Sequence, residues 1–153
     1  MRSDVKKGKN VDFKEPVFII KRHGEIEKEL LICKQCLAKC PDFSLNDIYE
    51  KFDSRGVGVI DSNIFEKTLR KLGVYCVADE AKMIIKRFGR GKTEMKYSEF
   101  TRLFTGAKQP YFSIMNTTSA KRFSLDTSDL IQQLFELHIQ SEAILEKFRQ
   151  RVF

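Results

Sequence analysis

Across the twelve residues from Asp53 to Ile64, side chains recur at offsets that could ligate a hard divalent cation. A calcium loop takes oxygens from its first, third, fifth and ninth residues, a bidentate carboxylate from its twelfth, and a sharp turn at a glycine in sixth place. Counting from Asp53, the ligand places hold Asp53, Arg55, Val57, Asp61 and Ile64, with Gly58 sixth. Only two carboxylates, Asp53 and Asp61, are therefore on offer. Ile64 has no oxygen to give. The Arg55 guanidinium would stand where the cation must sit, a repulsion on the order of several kcal/mol at about 4 Å when partly buried. Calcium binding is not expected here, and no cofactor is implied.

The elements that would position this loop are well signalled. Leu45, Ile48, Tyr49 and Phe52 recur at the i, i+3, i+4, i+7 spacing of one helical face. Ser44 stands at the cap position, with Phe43 and Ile48 placed to close a hydrophobic staple across it. Beyond the loop, Phe65, Leu69 and Leu72 form the apolar face of an exiting helix, which Gly73 ends in the place where a left-handed residue is common.

A second copy of the pattern follows about 35 residues later. Ala81, Ile84, Ile85 and Phe88 repeat the offsets of Leu45, Ile48, Tyr49 and Phe52, and Met95, Glu99 and Phe100 repeat those of Ile60, Ile64 and Phe65. The second loop is one residue shorter. Glu99 keeps the carboxylate of the twelfth place, but Gly89, Arg90, Lys92 and Thr93 replace the other ligands. From Lys86 to Lys96 there are five basic residues and one acidic, the reverse of a calcium cage.

The repeated helix–loop–helix, the glycine turn and the paired aromatics resemble the EF-hand superfamily over roughly residues 44–104. The resemblance implies an all-α fold of paired, calmodulin-like EF-hands. In such pairs the eighth loop residue makes a short strand against its partner loop, so Ile60 and Met95 are expected side by side. A flanking N-terminal helix and a long C-terminal helix complete the reading. Asp53, Asp61 and Glu99 then count as vestigial ligand positions. Downstream, YSEFTRLF, then Pro110 and Tyr111, then a long helix resemble the EF-hand proteins of motile-cilium axonemes. That resemblance implies a cytoskeletal, microtubule-associated location and protein partners such as tubulin or dynein-bearing axonemal components.

Composition bounds the rest. The chain has 153 residues, 42% apolar and 32% charged, enough for one real core with arms. Its net charge of +7 favours acidic partners and argues against a calcium buffer. No nucleic-acid-reading motif is present, and no apolar run reaches the length of a membrane span. The first fifteen residues lack the apolar stretch of a signal peptide, so a cytoplasmic or intraciliary location is expected. Cys33 and Cys36 form a CKQC run that could suggest zinc or redox chemistry. However, Ile26, Leu30, Cys33, Leu37 and Cys40 follow a helical 4-3-4-3 spacing, which makes the thiols small hydrophobes. No nucleophile with a base, no paired carboxylates in a cleft and no phosphate loop is visible, so neither an enzyme nor a small-molecule substrate is expected.

The expected organisation is an extended or disordered arm over 1–24, then a unit over 25–105 that holds an N-terminal helix and the two hands, 44–73 and 78–105. A linker over 106–125 and an amphipathic helix over 126–153 follow. The tract VDFKEPVFIIKR, with its proline among aromatic and β-branched residues, reads as extended. Leu130, Leu134, Leu137, Ile144 and Phe148 form a seam along the last helix, and Ile131, Phe135 and Ile139 broaden its apolar face. His138 within that face reads as packing. The apolar supply exceeds what one groove can cover. Leu130, Leu134, Leu137, Ile144, Phe148, Phe18, Ile19, Tyr111 and Phe112 are therefore the expected partner contacts, with Tyr111 and Phe112 also able to enter the groove between the hands. The expected function is a calcium-independent docking module in a multi-subunit assembly. The alternative is a calmodulin-like light chain or calcium-responsive regulator gripping a target helix.

Overall fold

The computed structural model describes the backbone of residues 4–105 and 123–152, and side chains over 16–105 and 123–150. The expectations for Tyr111, Phe112 and most of the 106–125 linker lie outside them.

The described residues are mostly helical, with one small antiparallel pair of strands. Helix α1 runs Asp4–Lys39, α2 Leu45–Phe52, α3 Ser62–Lys71, α4 Ala78–Phe88, α5 Tyr97–Phe100 and α6 Leu125–Val152, with a 3-10 turn over Thr101–Leu103 after α5. Strands β1 (Val59–Asp61) and β2 (Glu94–Lys96) pair so that Ile60 faces Met95, the register expected. Both side chains are fully buried. Two helix–loop–helix units, α2–β1–α3 and α4–β2–α5, are thus joined back to back through their loops.

Local chemistry explains the boundaries. The Ser44 hydroxyl accepts the Asp47 N–H at 3.3 Å and starts α2. Gly73 follows α3 at φ +87°. A side chain there would be strained, and its Cβ would come within 2.6 Å of Gln132 Nε2. The same Gln132 amide donates to the Leu72 carbonyl at 2.7 Å, so α6 caps the C-terminus of α3. At the other end, the Ser124 hydroxyl accepts the Thr127 N–H and caps α6, one residue before Leu125. The helix therefore starts at Leu125, one residue before the expected 126. Asp42, in the turn after α1, accepts from the Ser124 N–H at 2.6 Å and the Thr127 hydroxyl at 2.5 Å.

The largest departure from expectation is α1, which is continuous through 11–24, where an extended arm was expected. The reason is tertiary. Cys33 donates to the Leu130 carbonyl, and Ser141 meets His23, so α1 and α6 run antiparallel. That register brings Pro16 level with the last two turns of α6. Ile19, Ile26, Leu30, Cys33 and Leu37 then form one buried stripe over five turns. Helices draw most of their stability from such a packed face, and here it outweighs the β-branched tract and the one backbone hydrogen bond that Pro16 removes.

Candidate functional site: the two loops and the groove they frame

Each carboxylate in a vestigial ligand position holds backbone. Asp53 accepts the Val57 N–H at 2.9 Å through Oδ1 and the Gly58 N–H at 2.7 Å through Oδ2. Asp61 Oδ1 accepts the Ile64 N–H at 2.8 Å and is the N-cap of α3. Glu99 Oε1 accepts the Lys96 N–H at 3.0 Å, reaching back across the start of α5. The two carboxylates of the first loop and the one of the second thus each hold a separate turn. Gly56 and Gly58, at φ +68° and +93°, take the positive dihedrals that close the first loop. In the second, Arg90 and Gly91 do so at +56° and +83°, with the Gly91 N–H bound to the Lys86 carbonyl at 2.7 Å. Hydrogen bonds between protein groups thus close both loops.

Between the two units lies an apolar groove, and α6 fills it. Phe135 is fully buried, with ring centroids 5.6 Å from Phe52, 5.9 Å from Phe65 and 5.6 Å from Phe104. Around it, Phe100 sits 5.1 Å from Phe52 and 5.5 Å from Phe104, and Phe43 lies tilted against Phe104 at 5.5 Å. Ile131, Leu134, Leu137 and Ile139 are buried beside Phe135. The expectation that the broad face of the last helix exceeds its own domain is thereby corrected. Leu134 and Leu137 are covered by the chain itself, while Leu130, Ile144 and Phe148 are half-buried. The physical reason is that α1 covers one side of α6 while the groove takes the other. Of the two arm residues, Ile19 is buried by the same packing and Phe18 stays 67% exposed.

Next to the groove, α6 carries polar groups into the interior. His138 is buried, its ring edge-on to Phe88 at 5.3 Å. Its Nε2 lies 2.7 Å from the Leu103 carbonyl, which makes Nε2 the nitrogen that carries the proton. Burial pulls its pKa down to about 4, against a smaller opposing pull from that carbonyl. One turn on, Glu142 is buried and ion-paired with the Arg87 guanidinium. Burial pushes its carboxyl above the usual range, and Arg87 pulls it back in part.

A cavity of about 480 Å³ opens here, lined among others by Lys34, Arg87, Arg102, His138 and Ser141. The Ser141 hydroxyl is 3.2 Å from His23 Nε2, and Glu27 Oε1 is 3.4 Å from that same nitrogen. A hydrolytic relay needs hydroxyl and carboxylate on opposite ring nitrogens, so this trio is not arranged to activate Ser141. The two buried cysteines are equally passive. Burial pushes the Cys33 and Cys76 thiols up to about 11, away from the thiolate that binds metal or attacks. Among the described residues no helix is long and apolar enough to cross a membrane.

No family model, no curated protein sequence and no solved structure matches this chain. What it can do must therefore be read from its own surface. Sequence reading missed one surface element. Val17, Ile20, Leu31 and Ile32 are all more than half exposed on α1, and they form a second helical stripe only once 11–24 is read as helix.

Proposed function

We propose that the two helix–loop–helix units are a degenerate EF-hand pair working as a calcium-independent, non-catalytic interaction module in a larger protein assembly. The observation that carries this reading is the use of Asp53, Asp61 and Glu99 as backbone acceptors in loops that also hold Arg55, Val57 and Ile64. Backbone N–H groups compete with an ion for these carboxylates, and the groove that a target helix would need already holds Phe135. A calmodulin-like light chain would have to expel α6 first, which disfavours that alternative. The resemblance to ciliary EF-hand proteins and the +7 charge support an assembly on the acidic microtubule lattice of the axoneme, among tubulin- and dynein-associated components.

The test is location. A tagged full-length chain in multiciliated cells should co-sediment with detergent-extracted axonemes, equally in calcium and in chelator. Complete release with the detergent-soluble fraction, or release on chelation alone, would sink the reading.

A further inference from the structure

We propose that two copies of this chain associate by antiparallel packing of the exposed face of α1, about a two-fold axis between Gly24 and Glu25. This does not rest on the EF-hand reading. Helix α1 has two apolar faces. One, through Ile19, Ile26, Leu30, Cys33 and Leu37, is spent on α6. The other carries Val17, Phe18, Ile20, Leu31 and Ile32, which are 66, 67, 57, 52 and 59% exposed. Two heptads separate Val17 from Leu31 and Phe18 from Ile32, so both clusters lie on the same face, about 21 Å apart along the helix.

The pattern is self-complementary. Position 24.5 is the midpoint of 17 and 32 and also of 18 and 31. An antiparallel partner centred there sets Val17 against Ile32 and Phe18 against Leu31, twice each, and brings Ile20 beside Ile32. Gly24 lies at the centre of that face, exposed, with nothing within 4 Å of where its Cβ would be. A glycine in mid-helix costs stability, but it lets two backbones approach closely at the crossing point.

Net charge permits the same arrangement. From Lys21 to Glu29 the helix carries Lys21, Arg22 and Lys28 against Glu25, Glu27 and Glu29, a neutral stretch in a chain of net charge +7. An acidic partner would find little to hold here, whereas a second copy meets no net repulsion. Antiparallel packing in this register sets Lys21 opposite Lys28 of the other copy, with Glu25 within one turn of both lysines to offset their repulsion. A parallel pair would stack Lys21 on Lys21 and Glu25 on Glu25. Five side chains at roughly 60–120 Å² each give at most about 600 Å² per copy. Doubled, that reaches about the 1,000 Å² that specific interfaces need, so a reversible dimer is the expected strength.

The experiment is sedimentation velocity of the full chain from roughly 1 to 100 µM, the range in which a reversible dimer dissociates. The expected result is a monomer–dimer equilibrium. Gly24→Trp, and separately Phe18→Glu with Ile32→Glu, should each weaken it about tenfold or more without lowering the Tm measured at about 1 µM or below, where the chain is mostly monomeric, since all three positions are exposed. Geometry is read by cross-linking in a Cys36→Ser background. Val17→Cys should link to Ile32→Cys on mixing and not to itself, while Glu25→Cys should link to itself. A monomer at every concentration, a Val17→Cys homodimer, or variants that dimerise as well as the native chain would overturn the proposal. So would capture of a different protein on this face by a chain that stays monomeric.

Discussion

The ring of Phe135 lies 5.6 Å from that of Phe52, which puts the last helix of the chain inside the groove that its first helix–loop–helix unit helps to frame. Phe135→Ala should therefore cost about 3–5 kcal/mol, the usual loss for a buried aromatic. Phe88 is only half-buried against His138, so Phe88→Ala should cost clearly less. Urea denaturation of both variants checks the order, and equal losses would show that the core is misassigned.

Asp53 and Asp61 hold the loops by accepting three backbone N–H groups between them. Replacing either by Ala should lower stability by about 1–2 kcal/mol, as for a lost helix cap. The loss should be the same in calcium and in chelator. A loss seen only in calcium would mean that these carboxylates serve an ion.

Gly73→Ala forces a side chain into positive φ and against Gln132, which caps α3 at the Leu72 carbonyl. A loss of more than about 1 kcal/mol is expected, and Gln132→Ala should make the later glycine substitution cheaper by removing the clash. Thermal melts of the four combinations read this coupling, and strict additivity would rule it out.

Much of this architecture was legible in the sequence, because it rests on local signals: the Ser44 cap, the Gly58 and Gly73 turns, and the repeated offsets that set Ile60 against Met95. The continuity of α1 was not. Pro16 and the tract around Phe18 point to extended structure when read alone, and only the antiparallel contact with α6, more than a hundred residues away, supplies the burial that keeps them helical. For the same reason the positions of the carboxylates could be read from spacing, but their work as caps depends on which N–H groups the folded loops present.

His138 gives a pH signature. Its folded pKa, about 4, lies below the ordinary 6.5, so the unfolded chain takes up a proton before the native one. Its contribution to stability is full above pH 6.5 and falls as the pH drops toward 4, by up to roughly 1.4 kcal/mol per unit. Glu142 works in the opposite sense. With its folded pKa raised, its contribution to stability declines as pH rises above 4.5. His138→Gln should flatten the decline between pH 6.5 and 4 in denaturant melts, and an unchanged slope would show that His138 is not buried as a neutral ring.

The most direct measurement is hydrogen exchange of α6 during a calcium titration of the full chain. With the groove filled by Phe135 and the loop carboxylates committed to backbone, amides from Ile131 to His138 should stay strongly protected and unchanged up to millimolar calcium. Micromolar calcium that exposes these amides would contradict the account and make this chain a calcium switch.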